Sequence, residues 1–445
     1  MLTAKIAMRL PRRFFLLLAI SIAFWSCTDK PSEQEIKKQN KDTGWEQLIT
    51  EANTIGKPEW RPMLQYVAEL HKKSTHEAVW PFEYEWEEIG PGYIYGPAFG
   101  HWDIVNQAID VVNSHPEHAI KQMFNNIKNQ EADGLIPGSI WMPNAESDSV
   151  TWDKKIGHPP FWPFAIEDYR KVTGNDSIIN HFYSPLIRQI TWFENNRKAE
   201  GEGFFYNDIL LKEWESGIDE GIRFDDTKDG KFACIDATCH VYFMYQMASK
   251  WSKELNLDNT YFEKRSENLK KFIQTELYSE EEGLFFDSWA MKDPSLRSLA
   301  FETLFPIVFG VATQEQADRL IDDYLLDSSY FNTAHPVATV GKRDPKFELR
   351  MWRGPSWNSM TYWIARGCTQ YGREDATKIL MEKALDQSSV QFEKTGTIWE
   401  FYHPLGGSPK DVLRKPQTEK NEPCIDYLGH NPLIEMTRLY DSVKK

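Results

Sequence analysis

The sequence lacks several patterns that would place it in common functional classes. It has no block rich in Lys and Arg, and its 51 basic residues face 66 acidic ones, which gives a formal net charge of −15. A chain of this charge offers little to a phosphate backbone, so we expect no nucleic-acid partner. It also lacks a Gly-rich nucleotide-binding motif and a clean alternation of strands and helices, which argues against a doubly wound nucleotide-binding fold.

Cysteine is scarce, with 5 residues in a chain of 445. Cys234 and Cys239 have neither the companion pair nor the His spacing of a zinc site. We therefore predict no metal site and no cofactor, while a Ca²⁺ ion held by loop carboxylates stays open. Cys234, Cys239, Cys368 and Cys424 are predicted to be buried free thiols, and one disulfide is the alternative in an exported protein.

The remaining composition is that of a packed globular chain. Hydrophobic residues make up 41% of the sequence and charged residues 26%, which excludes a mostly disordered or fibrous protein. Aromatic residues reach 14%, with 17 Trp and 18 Tyr. This content suits either core packing or a cleft that stacks on flat, polar ligands such as sugars.

The N-terminus resembles an export signal. A basic segment precedes the apolar run at residues 14–25, which is too short to span a bilayer comfortably, and Ser26-Cys27 follows it. We predict a lipoprotein signal peptide over residues 1–26 with lipidation at Cys27, and an ordinary secretory signal is the alternative. The protein is then exported and lipid-anchored to a bacterial membrane, in the periplasm or at the cell surface. Polar, unpatterned residues 27–42 are predicted to be a flexible tether.

Residues 43–445 are predicted to form a single catalytic domain, since no linker or low-complexity stretch divides them. About twelve helices in consecutive pairs predict an all-α (α/α)6 toroid, a six-hairpin barrel, and periodicity alone leaves an open helical solenoid as the alternative. Apolar residues at helical spacing predict these helices near residues 59–73, 102–113, 117–129, 161–173, 178–197, 236–254, 259–277, 296–310, 313–325, 356–371, 374–391 and 427–441.

Five segments concentrate Trp, Gly, Pro and carboxylates beside the predicted helices. Each alone is explained by a Trp that plugs a loop against a helix end, whereas five on one chain favour a shared pocket. The segments are residues 99–103, 134–138, 214–219, 352–357 and 396–404.

These segments carry a resemblance to a known family. Residues 212–225 (KEWESGIDEGIRFD) resemble the ESG-x-D-(x)n-R motif of inverting α-glycosidases with an (α/α)6 barrel, most closely glycoside hydrolase family 63, with the trehalases of family 37 as relatives. Residues 352–363 (WRGPSWNSMTYW) are similar to their WRGP-x-W segment, and residues 396–407 (GTIWEFYHPLGG) to the stretch that carries their catalytic base. The resemblance covers residues 80 to 432. Because we expect no extra N-terminal β-domain, the layout resembles that of bacterial mannosylglycerate hydrolases.

The resemblance implies an inverting hydrolase of an α-linked glucoside or mannoside, of which we favour the glucoside. Asp219 matches the general acid and Glu400 the general base, which inverting enzymes hold about 6.5–9.5 Å apart so that a water fits between them. Because one carboxyl must be protonated while the other is ionised, we expect Asp219 to lie against apolar surface. Glu400 is expected to accept hydrogen bonds, with Tyr402 and His403 as candidate donors.

The resemblance also implies the residues that bind an oligosaccharide or small glycoside. Asp103 matches a residue that holds sugar hydroxyls, and Trp side chains offer faces for stacking or belong to the core. Glu215 either binds hydroxyls or braces its loop, and Arg223 and Arg353 clamp substrate groups or form structural ion pairs. The predicted substrate-binding residues are Trp102, Asp103, Glu215, Arg223, Trp352, Arg353 and Trp357.

Other functions on the same toroid remain as alternatives. A non-catalytic glycan-binding lipoprotein would keep the Trp faces and lack one of the two carboxylates. A trehalase shares the motifs. A phosphorylase needs no carboxylate base, so Glu400 disfavours it, and a polysaccharide lyase would need a basic groove that this acidic chain does not indicate.

Overall fold

The computed structural model describes residues 33–145, 147–211, 214–227, 229–415 and 421–444, with side chains from residue 43 onward. The predicted signal peptide (1–26), the lipidation site Cys27 and the first part of the tether lie outside the described residues. Residues 44–445 form one compact unit.

The later part of the predicted tether, residues 33–42, lies in helix α1, which spans Glu33–Ala52, and the tether role itself stays a prediction. The segment has no apolar pattern, which is why the sequence predicts an unstructured chain there. Glu, Gln and Lys dominate its first half, however, and these residues have high intrinsic helix propensity.

Helices dominate the rest of the described chain. No helix among the described residues combines the length and the apolar character needed to cross a membrane. The remaining α-helices are α2 (Arg61–Lys73), α3 (Asp103–Val111), α4 (Pro116–Lys128), α5 (Trp162–Thr173), α6 (Ile179–Asn196), α7 (Asp208–Leu211), α8 (Ile235–Glu254), α9 (Thr260–Glu276), α10 (Ser288–Lys292), α11 (Phe305–Val308), α12 (Gln314–Leu320), α13 (Asn358–Gln370), α14 (Glu374–Thr395) and α15 (Leu433–Val443).

Six of these helices form a closed inner ring. α3 contacts α5, α8 contacts α11, α11 contacts α13, α13 contacts α15, and α15 returns to α3. α5 meets α8 where the rings of Phe164 and Phe243 stack with centroids 4.1 Å apart. Closure between α15 and α3 excludes the open solenoid and confirms the predicted (α/α)6 toroid.

The other ring consists of α2, α4, α6, α9, α12 and α14, which alternate with the inner helices along the chain. Helices of the two rings differ in how much of their surface is buried. All nine residues of α3 are buried, whereas α2 buries one face that includes Met63, Val67 and Leu70. A helix enclosed on all sides has to be apolar or fully hydrogen-bonded all round, while an outer helix needs only one apolar stripe.

One predicted helix is largely wrong. Residues 296–310 form two short 3₁₀ turns, Pro294–Leu296 and Phe301–Leu304, before the single-turn helix α11. Phe301, Leu304 and Phe305 are buried in the core, so their apolar spacing reflects packing of an irregular segment. By contrast, the start of α12 is confirmed, with a capping box between Thr313 and Gln316.

Short antiparallel strands line the loop end of the barrel. β3 (Ala98–Gly100) pairs with β4 (Ser139–Trp141), which pairs with β5 (Thr151–Trp152). Two further pairs join β1 (Thr75–His76) to β2 (Trp86–Glu87) and β6 (Tyr278–Ser279) to β7 (Leu284–Phe285). β3 ends three residues before α3, so it fixes how the chain enters that inner helix.

A buried charge cluster connects the two rings. His71 on α2 contacts Glu87 on β2 at 2.6 Å through Nδ1 and Asp110 on α3 at 3.1 Å through Nε2. His118 on α4 contacts the other oxygen of Glu87 at 2.9 Å. Burial alone would lower the pKa of His71, but the charges of Glu87 and Asp110 outweigh it and raise the pKa to about 9.

This cluster predicts how stability depends on pH. A raised folded-state pKa stabilises the fold fully below about pH 6.5, and the contribution is lost as the pH rises through about 9. We expect His71→Gln to lower the free energy of unfolding by on the order of 2 kcal/mol near pH 6, and by much less above pH 9. Urea unfolding of both proteins across this range measures the difference. His181→Gln, at an exposed histidine, is the control and should show no such trend.

Candidate active site

A cavity of about 350 Å³ opens at one end of the barrel. Its size falls in the range of small-molecule sites. Six of the nine predicted catalytic and substrate-binding residues line it: Trp102, Asp103, Asp219, Trp352, Trp357 and Glu400.

Chain direction explains why distant segments meet there. Inner and outer helices alternate, so all inner helices run the same way and the segments that precede them meet at one end. Trp102 precedes α3, His158 precedes α5, Asp219 precedes α8 and Trp352 precedes α13, while Glu400 lies in the long connection before α15.

Stacked indoles form one wall. The rings of Trp352 and Trp357 lie parallel with centroids 3.8 Å apart. The ring of Trp102 is stacked with that of Trp352, with centroids 6.1 Å apart. The three residues are each about 2% exposed, so most of their surface is buried and their remaining edges contribute to the cavity wall. These three residues therefore belong to the core and also form part of the cavity wall.

Asp103 is fixed at the cavity surface by its neighbours. The Tyr427 hydroxyl donates to its Oδ1 at 2.9 Å. Burial raises the pKa of Asp103 to about 6, the Tyr427 hydrogen bond opposes this, and the charges of Glu400 and Asp219 add to the rise. Asp103 therefore changes protonation state in the range where many hydrolases work, and it can exchange hydrogen bonds with sugar hydroxyls in either state.

Two glycines make room for that carboxylate. A Cβ added at Gly100 would lie 2.1 Å from Asp103 Oδ2, and one added at Gly429 would lie 2.4 Å from Oδ1. Neither glycine has a positive φ, so space rather than backbone conformation requires glycine at both positions.

Glu400 is held by a guanidinium and a backbone amide. Arg414 Nε donates to its Oε2 at 2.7 Å and Arg414 Nη2 to its Oε1 at 2.9 Å, while the Cys424 N–H donates to Oε2 at 3.0 Å. This bidentate pair places a planar positive charge directly against the carboxylate. The expected donors were wrong: the Tyr402 hydroxyl faces the Trp399 N–H, and His403 accepts from Leu405.

The same contacts leave Glu400 one place for a water molecule. A carboxylate accepts about four hydrogen bonds, two on each oxygen. Within the described part of the chain Oε2 accepts two hydrogen bonds and Oε1 accepts one, so these contacts leave a lone pair of Oε1 on the cavity wall.

Asp219 has a different neighbour from the one we expected. Its carboxylate contacts the ammonium of Lys415, with both side chains at most one-fifth exposed. Burial lowers the pKa of Lys415, but the charge and hydrogen bond of Asp219 outweigh it and raise the pKa, so Lys415 is charged. The predicted apolar surroundings of Asp219 are therefore corrected to an ion pair.

Three predicted substrate-binding residues do not line the cavity. Glu215 is buried and forms a bidentate pair with Arg197 at 2.6 and 2.7 Å, and it also accepts from the Asn207 N–H. It braces the loop that carries Asp219, which was one of the two roles considered for it.

Arg223 is occupied elsewhere. Its guanidinium is buried and donates to Glu302 at 2.8 Å, Asp287 at 2.6 Å and Asp236 at 2.7 Å. Three carboxylates take its donors, so it anchors the end of the Asp219 loop to α8 and to the segment before α11.

Arg353 forms the structural ion pair that was its alternative role. It donates to both oxygens of Asp225 at 3.0 and 2.8 Å and to the carbonyl of Glu220 at 3.2 Å. Arg350 binds the Glu220 carboxylate at 2.6 Å. Together they attach the residues that follow Asp219 to the segment before α13, and Glu220 itself has a left-handed φ of 59°.

The sequence analysis did not predict the other residues that line the cavity. For Arg414 and Lys415 a signal existed, because a carboxylate that must stay ionised inside a cavity needs a nearby cation, and these two follow the Glu400 segment. The missed lining residues are Ile89, Tyr93, Tyr95, Ser139, Trp141, His158, Trp214, Gly217, Met351, Arg414, Lys415, Tyr427 and His430.

One cluster in the described chain has the ligand types of a metal site. Cys234, Asp236 and Asp287 offer atoms within 4.8 Å of one another. The Arg223 guanidinium already binds both carboxylates, and burial raises the pKa of the Cys234 thiol well above its usual value. The group is therefore organised around an arginine. Cys234, Cys239, Cys368 and Cys424 are all buried and free, as predicted.

Comparisons with known proteins show which family the chain belongs to. The family described as "Mannosylglycerate hydrolase MGH1-like glycoside hydrolase domain" matches residues 97–418. The match begins at β3 and ends just after Lys415, so it contains both candidate catalytic carboxylates.

Curated relatives are distant. An uncharacterised protein of Borreliella burgdorferi is 24% identical over 66% of this chain, and mannosylglycerate hydrolase MGH1 of Selaginella moellendorffii is 29% identical over 29% of it. The chain spans 62% and 26% of the length of these two relatives. The mannosylglycerate hydrolase of Rubrobacter radiotolerans is 18% identical over 73% of this chain and 90% of its own length.

Solved structures share the fold. The family 63 mannosylglycerate hydrolase of Thermus thermophilus in complex with Tris and D-glycerate is 14% identical, with a TM-score of 0.64, over 84% of this chain and 98% of its own. The neutral trehalase of Saccharomyces cerevisiae is 15% identical, with a TM-score of 0.58, over 85% and 81%.

The closed helical ring and the cavity with carboxylates on its wall define an (α/α)6 glycoside hydrolase domain of the family 63 and trehalase type. Within that class, the chain belongs to the MGH1-like mannosylglycerate hydrolase family, whose model matches most of it.

The packing around Asp103 predicts a sensitive position at Gly429. Gly429→Ala places a methyl group 2.4 Å from the Asp103 carboxylate, so the carboxylate must shift. We expect at least a tenfold loss of kcat/KM on a glycoside substrate. The control is Gly341→Ala. Its added Cβ would lie 3.1 Å from the Cβ of Leu299, and neither residue lines the cavity. Equal losses in both variants would contradict a specific role for the space beside Asp103.

Proposed function

We propose that this domain hydrolyses a small α-glycoside with inversion of configuration, with Asp219 as general acid and Glu400 as general base. The observation that carries the proposal is that these two carboxylates come from loops 181 positions apart and line the same cavity. A glycan-binding protein without catalysis has no need for either group.

Glu400 is suited to activate water. The Arg414 guanidinium lies directly against it, and among the described contacts its Oε1 accepts one hydrogen bond, which leaves an acceptor position for water. A water hydrogen-bonded there gives up its proton to Oε1 as it attacks the anomeric carbon. Asp219 delivers a proton to the glycosidic oxygen, and the bond between that oxygen and the anomeric carbon breaks.

The volume and the lining of the cavity favour a substrate that consists of one sugar and a small leaving group. Trp102, Trp352 and Trp357 offer apolar edges to the C–H groups of a pyranose, and Asp103 exchanges hydrogen bonds with its hydroxyls. Two of the curated relatives are mannosylglycerate hydrolases, which supports the α-mannoside as a proposed substrate beside the α-glucoside.

Substitution of the two carboxylates tests these roles. Asp219→Asn and Glu400→Gln should each lower kcat on alkyl α-glycosides by about 100- to 10,000-fold, because each removes a proton transfer. An α-glycosyl fluoride needs no proton on its leaving group. Asp219→Asn should therefore retain much of the fluoride activity, whereas Glu400→Gln should lose it.

Asp103→Asn is the matched control, because Asp103 lies on the same wall and is assigned to binding. This substitution should lower the rate of hydrolysis of the alkyl α-glycoside and of the α-glycosyl fluoride by similar factors. If Asp103→Asn spares the fluoride and Asp219→Asn does not, the acid is Asp103. NMR of the products at early times should show the β-anomer first, and an α-anomer would contradict inversion.

We also propose that the protein is exported and anchored through an acylated Cys27. The support is the basic and apolar N-terminal segment that ends in Ser26-Cys27. In cells fed radiolabelled palmitate, the protein should incorporate label and partition into detergent. Cys27→Ser should lose both properties, and label retained in that variant would rule out Cys27 as the site.

A further inference from the structure

His430 lines the cavity and has no role in the function proposed above. Its imidazole ring is nearly perpendicular to the rings of Trp102, Trp352 and Trp357, with centroids 5.0, 5.7 and 4.7 Å away. The ring of Tyr427 lies nearly parallel to it, with centroids 5.9 Å apart. These four aromatic contacts hold the imidazole in one orientation. A side chain fixed in this way can present a hydrogen-bonding group to a ligand in a defined direction.

The imidazole of His430 is neutral. Burial lowers its pKa to about 3, and the electrostatic effect of His158 adds to the decrease. A neutral imidazole carries its proton on either Nδ1 or Nε2 and has a lone pair on the other nitrogen. What His430 can bind therefore depends on which of the two tautomers its surroundings stabilise.

Ser359, on α13, determines that tautomer. Its Oγ lies 2.6 Å from His430 Nδ1, and its N–H donates to the carbonyl of His430 at 3.0 Å. Ser359 is fully buried, and among the described contacts Nδ1 is the hydrogen-bond partner of its hydroxyl. A buried hydroxyl that only accepted a hydrogen bond would leave its own proton unsatisfied, which is costly. The hydroxyl therefore donates to Nδ1, and the imidazole proton lies on Nε2.

The protonated Nε2 of His430 lies close to Asp103 without forming a hydrogen bond to it. The distance from Nε2 to Asp103 Oδ1 is 3.7 Å, whereas an N–H···O hydrogen bond needs about 2.7–3.2 Å. One oxygen atom between the two groups can be within hydrogen-bond distance of both. A hydroxyl group suits this position because it accepts one hydrogen bond and donates another.

The neighbouring contacts leave both groups available to a ligand. The Tyr427 hydroxyl donates to Asp103 Oδ1 at 2.9 Å and so takes one of the two acceptor positions on that oxygen. Within the described part of the chain, Nε2 of His430 makes no hydrogen bond. Gly429, which directly precedes His430, gives the Asp103 carboxylate the space to approach. The same turn therefore places the donor and makes room for the acceptor.

We propose, on the basis of the proposed function, that His430 and Asp103 bind the same hydroxyl of the sugar. The Nε2–H of His430 donates to the hydroxyl oxygen, and Asp103 Oδ1 accepts the hydroxyl proton. Ser359 is a positioning residue that keeps the imidazole proton on Nε2. The pair makes the cavity specific for a hydroxyl at one position of the ring, since a hydrogen atom there leaves a buried donor and a buried acceptor without partners.

Binding of glucose, mannose and each of their monodeoxy forms to the full chain tests the pair. We expect loss of one particular hydroxyl to weaken binding to the wild type by about tenfold or more. This ratio should fall towards one in His430→Phe, which keeps an aromatic ring, and at the same ring position in Asp103→Ala. Isothermal titration calorimetry measures the dissociation constants. His181→Phe, at an exposed histidine, is the control and should keep the wild-type ratios.

The tautomer gives a second readout that does not depend on the sugar. Spectra of protein with ¹⁵N-labelled histidine should show His430 protonated on Nε2, with its signals assigned by their absence in His430→Phe. In Ser359→Ala the proton should move partly to Nδ1, and the ratio at the selected hydroxyl should fall. Ser252→Ala removes a buried hydroxyl on α8 that contacts Tyr183, and it should change neither the His430 signals nor the ratio.

These measurements separate failure of this inference from failure of the proposed function. A protein that selects the hydroxyl but cleaves neither α-glycosides nor α-glycosyl fluorides contradicts the proposed function and keeps the role of His430. The inference is overturned if no deoxy sugar binds more weakly to the wild type, which requires no variant to fold. It is also overturned if wild-type His430 carries its proton on Nδ1, if the selectivity persists in His430→Phe, or if the two substitutions act at different ring positions.

Discussion

The site depends on charge compensation inside a cavity walled by tryptophan. Carboxylates removed from water need a cation or several hydrogen bonds, and here two consecutive residues supply the cations. Arg414 binds Glu400 through two parallel hydrogen bonds, and Lys415 binds Asp219 through a single flexible ammonium. The planar guanidinium fixes the orientation of its partner, whereas the ammonium at the end of a lysine side chain imposes less geometry on the carboxylate that it contacts.

The helical ring makes this compensation possible because it brings distant loops to one end. The segment that carries Asp219 is attached at several points: Glu215 to Arg197, Glu220 to Arg350, and Arg223 to three buried carboxylates. Residues that the motif suggested as substrate contacts thus hold the loop instead. One motif thus carries a carboxylate on the cavity wall together with the residues that fix the backbone beneath it.

The spacing of apolar residues predicted helices correctly where one face of the helix is buried, and it failed elsewhere. Helices with an apolar face, such as α2 and α4, were predicted to within a few residues. The segment around Phe301 was not, because an irregular chain buried in the core has apolar spacing of its own. Helix α1 was not predicted at all, and in its first half helix propensity acts without any apolar pattern.

The sequence by itself determined most of the helices and the segments that carry Trp102, Asp103, Asp219 and Glu400, because helical periodicity and motif order can be read along the chain, whereas closure of the ring depends on contacts between its two ends. Only the tertiary structure decided which charged group faces which. Arg223 and Arg353 turn away from the cavity, while Arg414 and Lys415, in no motif, enter it. A side chain's partner depends on segments far away in the sequence, and the energy of a buried charge depends almost entirely on that partner.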